Sequence, residues 1–247
     1  MEDPYQKLSR PQASDAVTRW GWRLVLGELR TEVRTGSLAL ATDVAARAAT
    51  VAGAEGHLRL DVRADRVLLS LQTATAAWVT ERDVELARNI STVVDETRLE
   101  TVSGVGLDGG AGPDADIDGD GSAGGGERAV QVIEIGIDAL DAAAIRPFWR
   151  AVLGYVDEPG RFGPWDGLVD PLGQGPAVWF QRMDAPRPQR NRIHVDVSVP
   201  HDEAESRIRA ALAAGGRVIS DAEAPAFWVL ADAEGNEACI TTWQGRE

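Results

Sequence analysis

Leu58, Leu60 and Val62 alternate with Arg59, Asp61 and Arg63, the chain turns at Ala64 and Asp65, and Val67 to Leu71 runs back. A period of two on both sides of a turn predicts a β-hairpin. Upstream, Ser37 to Ala54 is Ala-rich and sets Leu38, Leu40, Val44, Ala48 and Val51 at helical spacing, while Trp22 to Arg34 alternates around a break at Gly27. Downstream, Thr80 and Asp83 form a capping-box pattern with Asp in place of Glu, and Val84, Ala87, Ile90 and Val94 share one face of the helix that follows. The predicted order is helix, two strands, helix, two strands, helix.

Between Ser103 and Arg128 the pattern stops. SGVGLDGGAGPDADIDGDGSAGGGER is dominated by Gly and Asp and offers too little apolar surface to offset the entropy of ordering it, so residues 103–128 are expected to be a flexible acidic linker. Asp114, Asp116, Asp118 and Gly119 imitate the start of an EF-hand loop, but the twelfth position is Gly125 and no amphipathic helix flanks the run. Calcium binding is not expected there.

Beyond the linker the chain repeats itself at an offset of 60 residues. Ile133–Ile137 lies over Ile193–Val197, so that Glu134 lies over His194, and the helix with Phe148 and Leu153 lies over the one with Ile208 and Ala213. Strand candidates follow at Ala177–Met183 in the first half and at Arg217–Ser220, Phe227–Ala231 and Glu237–Trp243 in the second, which implies two βαβββ units. The expected architecture is α+β in two domains, residues 1–102 and 129–247.

Composition narrows the partners. Lys+Arg number 25 against 39 Asp+Glu, a net charge of −14, and such a field repels phosphate backbones and anionic lipid. Nucleic acid and membrane are therefore not expected as partners. No segment supplies the about 18 consecutive apolar residues of a membrane span, and MEDPYQKLSRPQ lacks a leader pattern, so a cytoplasmic location is expected. Cys239 is the sole cysteine, which rules out an internal disulfide and reads first as a small buried apolar residue.

From Trp20 to Val94 the sequence resembles the pterin-4a-carbinolamine dehydratase family. The residues that carry this are Gly56-His57 ahead of Leu60-Asp61-Val62-Arg63, Val67 to Thr73, and Thr80-Glu81-Arg82-Asp83 with Leu86-Ala87. The family removes water from a 4a-hydroxytetrahydropterin: a proton reaches the departing hydroxyl and another leaves the ring nitrogen. Imidazoles suit that traffic because they titrate near neutrality. The family pattern has His-His-Pro at the third strand and a further His after a Thr at the fourth. Here those places read Gly56-His57-Leu58 and Thr73-Ala74-Thr75, so two of the three histidines are missing and dehydration is expected to be weak or lost. The resemblance makes His57, Asp61 and Asp83 the catalytic candidates. His57 also reads as a strand-edge histidine kept for packing or hydrogen bonding, and Asp83 as a helix-start carboxylate favoured by the helix dipole.

From Val130 to Trp243 the sequence resembles the glyoxalase/bleomycin-resistance, or vicinal oxygen chelate, superfamily. Pro147-Phe148-Trp149, Leu153-Gly154-Tyr155, Val178 to Arg182, Asn191 to Val197, Ala213 to Gly216 and Asp232 to Glu237 carry it. The resemblance implies a U-shaped cleft whose floor comes from the first strands of each half, and two candidate uses for it. One is a divalent metal at Glu134, His194 and Glu237, with Gln181 the candidate for a remaining ligand position and Cys239 standing where the family keeps its last-strand carboxylate. The other is a metal-free cleft for a planar small molecule, with Trp179, Gln181, His194, Asp196 and Glu237 as contacts and Trp149, Trp165 and Phe180 as apolar surface or ordinary core. His201 reads as solvated surface. The expected functions are thus a pterin dehydratase-like protein, a small-molecule-binding protein whose first domain drives homo-oligomerisation, or a metal-dependent isomerase or oxygenase.

Overall fold

The computed structural model describes residues 5–102, 130–187, 189 and 193–245. The chain divides into two compact units, Met1–Val132 and Ile133–Glu247. The linker expected over residues 103–128 lies outside the described residues.

The first unit runs α1 (Arg10–Val17), β1 (Arg23–Val25), β2 (Glu28–Arg34), α2 (Leu38–Ala49), β3 (Leu58–Val62), β4 (Arg66–Leu71) and α3 (Glu81–Asp95), closed by a short β5 (Thr101–Val102). That is the expected αββαββα order with one added strand. The antiparallel sheet has the order β1-β2-β4-β3, and β5 pairs with β2. Each helix start is capped from the sequence: Ser9 by a capping box with Gln12 for α1, Ser37 for α2, and the Thr80/Asp83 pair for α3. One face of the sheet and the apolar stripes of the helices bury Trp22, Leu29, Val33, Leu69, Leu71, Leu86 and Ile90 in one core. Trp22 is completely buried and its indole N–H donates to Ser91 Oγ on α3 at 3.0 Å, so the ring's one polar atom is satisfied inside that core. Gly21 sits at φ 74° with Thr101 against it. A Cβ there would lie 1.9 Å from the Thr101 carbonyl oxygen, so only glycine fits.

The second unit is two successive βαβββ modules, as the repeat predicts. The first comprises β6 (Glu134–Ala139), α4 (Ala142–Leu153), β7 (Val156–Asp157), β8 (Leu168–Val169) and β9 (Ala177–Arg182). The second comprises β10 (Val195–Ser198), α5 (Ala204–Ala213), β11 (Arg217–Ser220), β12 (Phe227–Ala231) and β13 (Glu237–Thr241). Their sheets have matching orders, β6-β9-β8-β7 and β10-β13-β12-β11. The 60-residue offset survives in the strand register: Gly136 faces Trp179 across β6 and β9, and Asp196 faces Cys239 across β10 and β13, both pairs parallel.

One core, including Ile137, Phe148, Ile145, Leu230 and Ile240, joins the modules. Polar ties reinforce it. Glu234, in the turn before β13, accepts the backbone N–H of Leu140 at 2.8 Å and of Asp141 at 2.7 Å, just ahead of α4. Trp149 of α4 donates to the buried carboxylate of Asp232 at 2.9 Å. Among the described residues, no helix is long and apolar enough to cross a membrane.

Candidate functional site

In the first unit, the turn before β3 and the start of α3 bring His57 and Asp83 together across 26 positions of sequence. Gly56, at φ 75°, lets the chain enter β3 sharply, and the backbone N–H of Ala74 donates to the Gly56 carbonyl at 3.1 Å, locking the two loops side by side. Asp83 is completely buried. Its Oδ2 accepts the backbone N–H of Thr80 at 2.7 Å and of Thr73 at 3.2 Å, and lies 2.8 Å from the Thr73 hydroxyl. Its Oδ1 meets His57 Nδ1 at 2.7 Å. A carboxylate only accepts, so the proton of that contact sits on Nδ1, and Nε2 is left as the ring's basic nitrogen. The Tyr5 ring stacks on the imidazole with centroids 6.2 Å apart. Asp83 therefore serves both as the helix-start residue and as the group that orients His57.

Asp61 does not join them. It lies four residues along an extended strand, about 13 Å of chain from His57. Its carboxylate is paired with Arg63 at 2.6 Å on the exposed side of β3. Thr73 and Thr80, which were not among the catalytic candidates, complete the cluster, with their hydroxyls 2.8 Å apart. Ala74, where the family pattern has its last histidine, is exposed beside this pair.

In the second unit, alternation along β10 turns Val195 and Val197 toward the core and leaves Asp196 and Ser198 on the open face, with His194 two residues before Asp196 on the same side. His194 Nδ1 lies 3.0 Å from Asp196 Oδ1 and 3.9 Å from Cys239 Sγ. Donor atoms of His194, Asp196 and Cys239 lie within 4.8 Å of one another, and Glu134 and Glu237 are not members of that group. Cys239 is buried, as expected, but against an imidazole.

The equivalent face of the first module is different. Trp179, 40% exposed, lies on Gly136, where a Cβ would come within 3.0 Å of the indole. Gln181 is the register partner of Asp138 and corresponds to Thr241, one side-chain step beyond Cys239. The strand register thus matches Cys239 with Trp179. A cavity of about 480 Å³ lies beside Gln181, lined by Asp138, Arg182, Met183, Asp184 and Arg187. Of the aromatic residues read as cleft surface or ordinary core, Trp149 and Phe180 belong to the core and Trp165 is covered by Arg182, whose guanidinium sits 4.2 Å from its ring centre. His201 is exposed and receives the indole N–H of Trp243 at 3.3 Å.

Residues 6–93 match the family model for pterin 4 alpha carbinolamine dehydratase, and residues 134–241 match that for the glyoxalase-like domain. A glyoxalase/bleomycin resistance protein/dioxygenase family enzyme from Burkholderia phytofirmans PsJN is 18% identical over 44% of this chain and 95% of its own, with a TM-score of 0.35. A transcriptional coactivator/pterin dehydratase from Brucella melitensis is 23% identical over 36% of this chain and 98% of its own, with a TM-score of 0.33. A glyoxalase-related enzyme from Fulvimarina pelagi is 20% identical over 47% of this chain and 88% of its own, with a TM-score of 0.34. No curated protein matches the chain. The chain thus joins a pterin carbinolamine dehydratase-like domain to a glyoxalase-like domain.

Proposed function

We propose that the first unit binds a 4a-hydroxytetrahydropterin and dehydrates it slowly, with His57 as its single acid/base. The observation that carries this is the 2.7 Å contact between His57 Nδ1 and a completely buried Asp83. It fixes the ring and presents Nε2, the arrangement that a histidine moving protons needs. In the reaction the substrate's C4a–O bond breaks with its electron pair leaving on oxygen, a proton joins that oxygen to release water, and the ring nitrogen loses its proton to give the quinonoid dihydropterin. Nε2 takes the ring proton and, once protonated, supplies one to the hydroxyl. One group serving both steps in turn is slower than two poised together, and each missing catalytic role costs about 10²-fold to 10⁴-fold. Stopped-flow dehydration by the full chain tests this. Turnover above the uncatalysed rate, lost in His57→Gln and raised about 10²-fold in Ala74→His, supports the reading; turnover unchanged in His57→Gln overturns it.

A second reading rests on the open face of the first βαβββ module. An exposed indole packed on Gly136 and, two residues further along the same strand, Gln181 lining the 480 Å³ cavity suit a planar small molecule with polar edges. Quenching of tryptophan fluorescence by such a compound, abolished in Trp179→Ala, is the check. We further propose that the protein works in the cytoplasm as a homo-oligomer, with the edge strands β1 and β3 of the first unit available for self-association.

A further inference from the structure

Beyond the dehydration chemistry, the geometry points to a zinc site formed by His194, Asp196 and Cys239, contained within the sheet of the second βαβββ module. A divalent ion is the cofactor that a glyoxalase-like fold implies, and the resemblance spreads its ligands over both modules through Glu134, His194 and Glu237. Of these only His194 belongs to the group that meets, and Asp196 and Cys239 complete it. Asp196 and Cys239 are directly opposed across a parallel strand pair, and His194 precedes Asp196 by one side-chain step, so three donors stand on a hydrogen-bonded platform.

Their spacing suits a tetrahedral ion. With Zn–N near 2.0–2.1 Å, Zn–O near 2.0–2.2 Å and Zn–S near 2.3 Å, a tetrahedron places nitrogen about 3.4 Å from oxygen and about 3.6 Å from sulfur. The corresponding separations are 3.0 Å and 3.9 Å, each within about half an ångström of the requirement and reachable by side-chain rotation.

The donor chemistry selects the metal. Imidazole, carboxylate and thiolate together favour zinc over magnesium, calcium or manganese, which prefer sets built of oxygen. Side chains of His194 and Asp196 that are 52% and 54% exposed leave one side of the ion open, the arrangement of sites that act on a bound molecule. The first module supplies no such set at its equivalent positions, where Gly136 and Trp179 take the places of Asp196 and Cys239.

Cobalt(II) titration of the chelator-stripped full chain without an affinity tag tests this. One equivalent per chain, with a thiolate-to-cobalt charge-transfer band and the intense visible bands of four-coordination, both erased by one equivalent of zinc, is the expected result. Cys239→Ser loses the charge-transfer band, and Asp196→Ala, an exposed position that leaves the core intact, weakens binding about tenfold or more. Glu134→Gln and Glu237→Gln leave the titration unchanged. A wild-type titration without the charge-transfer band, its survival in Cys239→Ser, or its loss in Glu134→Gln overturns the assignment. His57→Gln leaves all of these signals unchanged, so the dehydratase reading and this one fail separately.

Discussion

Asp83→Asn is the most informative single change in the first unit, because it keeps the side chain's shape and removes only its acceptor-only character. The amide must choose which way round to sit. Turned with its oxygen toward Thr73 and Thr80, it keeps both buried backbone N–H groups satisfied; turned the other way, it strands two donors at about 1–3 kcal/mol each. The first orientation wins, and it presents NH2 to His57 Nδ1. The ring must then accept there and carry its proton on Nε2, the opposite of the natural tautomer. Exchanging a charge-assisted hydrogen bond of about 1.5–3 kcal/mol for a neutral one of about 1 kcal/mol costs about 0.5–2 kcal/mol. Loss of the negative charge at the start of α3 adds about 0.3–1 kcal/mol. A domain of this size loses about 4–8 °C in Tm for each kcal/mol. The variant should therefore fold, melt about 3–24 °C lower, and lose dehydration by about 10²-fold or more because its Nε2 no longer accepts a proton. Long-range ¹H–¹⁵N correlation reads the tautomer directly in a chain with only three histidines. A bare Nε2 persisting in the Asn variant, or an Nε2–H in the natural protein, refutes the reasoning.

Gly216→Ala should destabilise the second unit by about 1–3 kcal/mol, measured by chemical denaturation, since a Cβ there would lie 2.4 Å from the Phe148 ring and 2.9 Å from the Ala211 carbonyl oxygen. Gly21→Ala should prevent the first unit from folding normally, seen as loss of its cooperative transition, because the obstruction is backbone and the conformation left-handed. Burial raises the Asp170 carboxyl, but the backbone N–H groups of Gly175, Leu172 and Gln174 outweigh it and hold the group below the usual carboxylate range. A depressed folded value stabilises above the ordinary carboxylate pKa and is lost as pH falls through the folded value. Asp170→Asn should therefore flatten the acid limb of the stability profile in a pH series of denaturant melts.

Much of the fold is written in short-range pattern. The β3–β4 hairpin follows from alternation and the Ala64-Asp65 turn, the start of α3 from Thr80 and Asp83, and the paired modules from an offset that the strand register keeps. The sites are harder to read because they depend on which loops meet. Thr80 and Asp83 announce a helix cap, yet nothing local says that the second carboxylate oxygen faces a histidine 26 residues earlier. His194 and Asp196 are legible as neighbours on one strand face. Cys239 enters only through the parallel pairing of β10 with β13, 43 residues on. Position 239 offers a thiol where the resemblance has a carboxylate, and a thiol is itself a metal donor. The 60-residue offset applied to Cys239 gives Trp179, and Gln181 lies one side-chain step further along β9.

The indole resting on Gly136 also constrains how the first module can change. A Cβ at position 136 would lie 3.0 Å from the ring, so an aspartate there, the counterpart of Asp196, needs the indole to give by a few tenths of an ångström. The two substitutions that would copy the neighbouring trio's chemistry into this module are therefore coupled. Making position 179 small first relieves the crowding, at the loss of the exposed indole.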